Sequence, residues 1–212
     1  MYVLPKHAET RLDVLHALME THPLGTLVTK NDGELTADHI PFEIGPATDA
    51  APFGVLRAHV ARANPLWRLA GANVLVVFQG PHAYISPSLF GEKAISGKVV
   101  PTWDYAVVHA HGTLAAIDDK AWLLALLNRL TDTHEITRGA PWGVGDAPDD
   151  YIDAMSKAIV GIEIPIARLE GKWKVNQTNP LDDQQRMAAD LSTRPDTAPL
   201  GSLIRQRLNE TS

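Results

Sequence analysis

Residues 24–42 limit the fold more than any other stretch. Leu24-Gly25-Thr26-Leu27-Val28-Thr29 reads as a strand, Lys30-Asn31-Asp32-Gly33 as a turn, and Glu34 to Phe42 as a second strand. An Asp-Gly pair between two extended runs is a strong hairpin signal, so two antiparallel strands are set early in the chain. A helix precedes them, with Leu12, Leu15, Leu18 and Met19 at helical spacing within 9–22, and Pro23 ends it. A loop of small residues follows from Pro46 to Pro52, then a third strand from Phe53 to Val60 and a short helix over 65–71. Val74 to Phe78 is apolar throughout and suits a strand buried on both faces. Gln79-Gly80-Pro81 reads as a turn, His82 to Ser86 as extended, and 87–98 as a loop or short irregular helix.

Val99 to Trp103 reads as extended, with Pro101 indicating an edge or a bulge, and Tyr105 to Ala116 as a long strand. Asp118 or Asp119 caps the next helix, whose core stripe is Trp122, Leu123, Leu126, Leu127 and Leu130. A loop over 139–148 leads to a helix from Pro148 to Ala158. Ile162, Ile164 and Ile166 alternate on one strand, and Trp173 to Gln177 reads as a last short one. Beyond Thr178 the pattern is helical, with a break at Arg194-Pro195. About six to eight strands in mixed order, with helices between and after them, predict a barrel-like α+β domain. Its expected extent is residues 1–177, with 178–212 a C-terminal helical extension of the same domain. Regular βαβ alternation, a Gly-rich dinucleotide fingerprint and a Walker loop are all missing from the sequence.

Composition excludes several classes. The 212 residues contain no cysteine, which removes disulfides, thiolate metal sites and a cysteine nucleophile. The net charge is −6 and the basic residues are scattered, with local clusters only at Lys172 with Lys174 and Arg205 with Arg207. That balance disfavours non-specific nucleic-acid binding. No apolar run reaches the length of a membrane span, and MYVLPKHAET has no signal-peptide pattern, so a cytoplasmic location is expected.

The stretch His59-Val60-Ala61-Arg62-Ala63-Asn64-Pro65 runs from strand into helix, with Asn and Pro at the positions favoured for N-cap and first turn. Unpaired N–H groups there, with the Arg62 guanidinium, suit one phosphate. An ordinary junction bearing a surface arginine is the alternative. His109 and His111 lie two apart on a strand and so share a face, which can begin a metal site. A polar strand face or a dimer contact explains them better, since no third ligand stands at a characteristic spacing, and no metal site is predicted. There is no Gly-x-Ser-x-Gly, and the Asp pairs at 118–119 and 149–150 read as caps, so no catalytic residue is identified. A planar cofactor fits better. Trp103 and Tyr105 offer a flat floor, His39 and Pro41 end the second strand, Gln177 offers an amide for a ring edge, and Arg62 with Asn64 an anion site. Plain core packing is the competing reading for Trp103, and the stronger one for Trp122.

PLGTLVT (23–29), ADHIPF (37–42), HVARANP (59–65), FQGPHAYISPS (78–88), KVVPTWDYAVVHAHG (98–112), PW (141–142), IVGIEIPI (159–166) and GKWKVNQ (171–177) together resemble the PaiB family of FMN-binding negative transcriptional regulators. The resemblance covers residues 1 to about 191. It departs from the family at Asp104, where Asn is usual, and at Leu89-Phe90, where a Trp-Tyr-like pair is usual. It implies the FMN-binding split β-barrel seen in pyridoxamine 5′-phosphate oxidase, a homodimer with FMN in grooves at its interface, and a negative regulator with a DNA contact that the acidic charge weakens. It further implies cofactor contacts from His39, Pro41, His59, Val60, Arg62, Asn64, Thr102, Trp103, Tyr105 and Gln177. Gln177 stands where the oxidases carry a basic residue, which argues against pyridoxamine phosphate as substrate. An FMN-dependent oxidoreductase acting on a small molecule is the alternative. A haem protein using His59, His82, His109 or His111 as axial ligand is a third.

Overall fold

The computed structural model describes residues 1–211, in two compact units whose segments interleave along the chain. One unit comprises Met19–Phe78 and His109–Leu169; the other comprises Met1–Leu18, Gln79–Val108 and the chain from Glu170 onward. In chain order the elements are β1 (Ala8–Glu9), α1 (Leu12–Thr21), β2 (Leu24–Asn31), β3 (Glu34–Pro41), β4 (Glu43–Gly45), β5 (Val55–Ala61), β6 (Asn73–Ile85), α2 (Glu92–Ile95), β7 (Thr102–Thr113), β8 (Ala115–Ile117), α3 (Lys120–Glu135), α4 (Asp149–Lys157), β9 (Ile159–Lys174), α5 (Leu181–Leu191) and α6 (Ala198–Thr211). Short 3₁₀ turns occupy Pro5–His7, Pro65–Leu69, Pro87–Leu89 and Val144–Asp146. The hydrogen-bonded strand order is β3-β2-β6-β7-β9-β5-β4, with β1 and β8 also paired to β9.

The predicted hairpin is present. β2 and β3 pair antiparallel from Leu24↔Pro41 to Asn31↔Glu34, leaving a two-residue turn of Asp32 and Gly33. Both have positive φ, 49° and 90°, the geometry whose twist matches the flanking strands. Thr29 and Thr36 face each other in this ladder with their hydroxyl oxygens 2.8 Å apart. In the same unit β5 pairs with β9 from Val55↔Pro165 to Ala61↔Ile159. Its core includes Leu27, Phe42, Leu56, Phe78, Leu126, Ile162 and Ile164. Phe42 and Phe78 meet edge to face at 5.9 Å. Full burial of such a side chain contributes roughly 1.5–3 kcal/mol. Asp119 is the cap of α3, accepting a 2.7 Å hydrogen bond from the Trp122 backbone N–H.

The other unit buries Leu15, Ile85, Ala106, Trp173 and Val175 together with Met187, Leu191, Leu200 and Ile204 from α5 and α6. Glu9, almost fully buried, accepts from the Arg11 side chain at 2.8 and 3.0 Å, and Arg11 also reaches Glu210 at 2.9 Å.

Four segments differ from the sequence expectation. Gln79-Gly80-Pro81 is no turn, since β6 runs unbroken over 13 residues through it. A Cβ at Gly80 would lie 2.7 Å from Leu18 Cδ1 and 3.0 Å from the Ala106 carbonyl, so the glycine marks a close approach. Likewise the strand expected at 162–166 and the start of the one expected at 173–177 are one strand, β9, which ends at Lys174 and leaves 175–177 outside it. At Gly171 a Cβ would lie 2.3 Å from Leu15 Cδ2 and 2.7 Å from the Glu9 carbonyl, where β1 pairs alongside. Residues 8–9 form that strand instead of the first turn of α1. Val99 to Pro101 stay outside the ladder, and β7 begins at Thr102.

Candidate functional site

The ten residues expected to bind a cofactor divide between the two units: six lie in the unit of β2, β3 and β5, and four in the unit of β1 and α6. In the first, His39 and Pro41 are exposed on β3 at the end of the strand order. His59 stands on β5 opposite Gly161, with its Nδ1 buried and without a hydrogen-bond partner among the described residues, and burial lowers its pKa. Val60 points into the core. The Arg62 guanidinium is engaged on every nitrogen: Asp118 at 2.6 and 2.9 Å, the Lys157 carbonyl at 2.8 Å and the Ile159 carbonyl at 3.0 Å. Asn64 caps the turn that follows, accepting from Leu66 N–H at 2.9 Å and donating to Asp38 Oδ1 at 3.0 Å. The hollow around this cap, about 320 Å³, is lined by Asp38, Thr29 and Thr36 among others and includes no basic side chain. The Asp38 carboxylate is unfavourable to an anion there. His109 and His111 lie as their spacing predicts, their ring centroids 6.4 Å apart.

The other four residues gather differently. Trp103 and Tyr105 project from β7 into a groove of about 400 Å³, with Thr102 beside them. Trp103 is 54% exposed, a large apolar surface left to solvent. It also walls a second hollow shared with Gln79 and His82, and its ring meets His82 and Tyr84 at 6.2 Å each. Lys172 and Lys174, alternate residues of β9, which pairs beside β7, also line the groove. The Lys172 ammonium sits 5.2 Å from the Tyr105 ring centroid and 6.0 Å from that of Tyr2. Lys174 donates to Thr102 Oγ1 and the Trp103 carbonyl. Gln177 does not face the groove: its amide donates to the Lys6 and Trp173 carbonyls and accepts from Val175 N–H, fastening the end of β9 to the N-terminal segment.

Beneath the groove Asp104 is fully buried. Its Oδ2 accepts from Asn176 at 2.5 Å, its Oδ1 has no hydrogen-bond partner among the described residues, and the Lys174 ammonium stands 3.8 Å away. Burial raises its pKa to about 7, against the pull of Lys174 and Asn176 toward the charged form. Asn176 reaches it from a left-handed backbone at φ 57°. His7 closes the groove from the Pro5–His7 turn. Sequence reasoning did not single out His7, because its role comes from β1 pairing with Gly171 and Lys172, a long-range contact with no local pattern. Lys172 and Lys174 were visible as a basic pair and as part of GKWKVNQ.

The groove thus combines a flat aromatic wall, two ammoniums and no lining carboxylate, a chemistry that suits a planar anion. Over residues 1–168 the sequence matches a family model described as "Putative FMN-binding domain". The chain belongs to that family. It is 28% identical over 214 residues to protease synthase and sporulation protein PAI 2 of Bacillus subtilis, with 99% of both chains covered. It is 34% identical over 212 residues to an uncharacterized protein of Emericella nidulans, with 84% of each covered. Among solved structures it resembles the FAD and heme binding protein of Mycobacterium smegmatis, with a TM-score of 0.59 and 21% identity, covering 86% of this chain and 80% of that one. It also resembles the flavocytochrome Anf3 of Azotobacter vinelandii, with a TM-score of 0.58 and 15% identity, covering 88% and 78%. The PaiB resemblance is borne out, and the fold is the α+β flavin-binding split β-barrel that the motifs implied.

Proposed function

We propose that the chain is an FMN-binding protein of PaiB type, that two copies form the working unit, and that bound FMN governs a negative regulator of gene expression. The observation that carries the flavin is the groove of Trp103, Tyr105, Lys172 and Lys174 in a chain whose family is FMN-binding. The groove fits the group: aromatic side chains to lie against a planar ring, and ammoniums to balance a phosphate. Bound there, FMN would supply hydride and one-electron chemistry, with the protein contributing position and charge. Trp103 and Tyr105 provide the wall, and Thr102 holds Lys174 in place. The surface around His39, His59, Arg62 and Asn64 is the second candidate, but phosphate there would have to displace Asp118 from Arg62.

The net charge of −6 favours regulation through a metabolite or protein partner over a broad contact with DNA. FMN-dependent turnover of a small molecule is the other reading, since the flavin carries that chemistry without a dedicated catalytic side chain. The bare Nδ1 of His59, in a fold shared with two proteins whose names include haem or cytochrome, gives haem a specific foothold. The deciding experiment is an absorption spectrum of the purified protein before and after adding FMN, with chromatography coupled to light scattering. Flavin bands retained through gel filtration on a dimer are expected. A Soret band would favour haem, and a colourless monomer that ignores FMN would refute the proposal. NADH- or NADPH-driven turnover would favour the enzyme, and a salt-dependent gel shift the DNA-binding regulator.

A further inference from the structure

His7 is 9% exposed and lines the groove, and its Nδ1 is buried without a hydrogen-bond partner among the described residues. An unsatisfied buried polar atom is unfavourable unless something supplies the missing bond. Burial and the nearby charge of Lys6 lower its pKa, a side-chain hydrogen bond with Gln177 opposes them, and Lys172 and Lys174 lower it further. The imidazole is therefore neutral at physiological pH, and a neutral ring presents one nitrogen as an acceptor. Lys172, paired with His7's neighbour Ala8, holds its ammonium near the Tyr105 and Tyr2 rings, without a carboxylate partner among the described residues. A cation so placed is available for an anion at little loss.

We infer that His7 and Lys172 form a two-point recognition site for a planar anionic ring ligand, with Lys172 meeting the anionic group and His7 accepting from a ring N–H while Tyr105 and Trp103 flank the ring. FMN has this chemistry, and so does a smaller heterocyclic carboxylate acting as substrate or effector. The FMN arm rests on the function proposed above; the recognition site itself does not.

Three probes separate the sources: FMN, riboflavin, which lacks the phosphate, and orotate, a single ring with a carboxylate and N–H groups. Each is titrated by calorimetry or fluorescence against the wild-type dimer or monomer as purified and against Lys172→Gln, His7→Leu and His7→Gln. Lys172→Gln should weaken the anionic probe at least about tenfold while leaving riboflavin affinity unchanged. His7→Leu should weaken every ring that bears the N–H, and His7→Gln, which keeps an acceptor, should recover part of the loss. Should His7→Leu fail to fold, the half-buried Lys172→Gln still decides. FMN bound equally well by Lys172→Gln and His7→Leu overturns the site and leaves FMN binding intact. Orotate bound in a Lys172-dependent way, with FMN not bound at all, supports the site and removes the flavin from it. No binding of any probe at millimolar concentration overturns the site.

Discussion

Asp104→Asn is the sharpest test of the physics beneath the groove. The wild-type carboxyl is fully buried, lacks a partner for Oδ1, and has a pKa raised from 3.8 to about 7. In the unfolded chain it ionises near 3.8, while the folded protein keeps its proton until about pH 7. The native state therefore binds more protons across that window, and stability falls as pH rises through it. Below the window the carboxyl is neutral in both states and imposes no penalty; above it the full penalty is present. Each pH step inside the window removes about 1.4 kcal/mol, so between pH 5 and 7 this one group lowers stability by about 3 kcal/mol. Asparagine keeps an oxygen to accept from Asn176 and never ionises. The variant should match or slightly trail the wild type at pH 5 and exceed it at pH 8, where the gap corresponds to roughly 6–12 °C in Tm for a chain this long. Urea melts of both proteins at pH 5, 6, 7 and 8 provide the measurement, and the difference between them cancels all other titrating groups. A difference that stays constant with pH, or a variant less stable at pH 8, would refute the reasoning.

Four further outcomes are expected. Glu9→Gln should lose about 1–2 kcal/mol at pH 7, because Arg11 loses its charged acceptor and Arg11 is itself half exposed. Burial alone would raise the Glu9 pKa, but the Arg11 hydrogen bonds outweigh it and the value is lowered, so the gap to wild type should close as pH falls below 4.5. Gly171→Ala and Gly80→Ala should each destabilise by about 1–3 kcal/mol in chemical melts through overpacking against Leu15 and Leu18; a neutral result would remove the close-approach account of both glycines. Arg62→Ala should leave FMN affinity unchanged by titration, since Asp118 and two carbonyls already engage it. A loss matching that of Lys172→Gln would instead place the phosphate beside Arg62, just past the end of β5. Trp103→Ala should weaken FMN and riboflavin alike in the same titration, by about tenfold, because the wall it removes contacts the ring and not the phosphate.

Local patterns in the sequence were enough for the β2–β3 hairpin, the Asp119 cap and the Leu123–Leu126 stripe, since turn chemistry, capping and period act over a few residues. Glycine was the chief source of error. Gly80 read as part of a turn, and the stretch around Gly171 as the gap between two strands, because the same missing Cβ serves a turn or a crowded strand, and only the neighbours Leu18 and Leu15 tell which. The candidate site was half legible. Trp103 and Tyr105 stood out as aromatics on an edge-like segment, and they do line a groove. Arg62 looked like an anion site because its partner, Asp118, is 56 residues away in sequence. Gln177 looked like a ligand donor for the same reason: Lys6 lies at the opposite end of the chain. His7 carried no local mark at all, since what makes it notable is a bond it lacks.

The order in which the segments are translated has a consequence for the growing polypeptide. Every residue of the unit holding Arg62 has been synthesised once Leu169 is added, whereas the unit with the groove still awaits β9's last turn of side chains and both final helices. A chain stalled on the ribosome near residue 170 would therefore lack Lys172, Lys174 and the buried apolar residues Met187 and Leu200. Ligand capture would then report on finished molecules only, and prematurely terminated products would be silent.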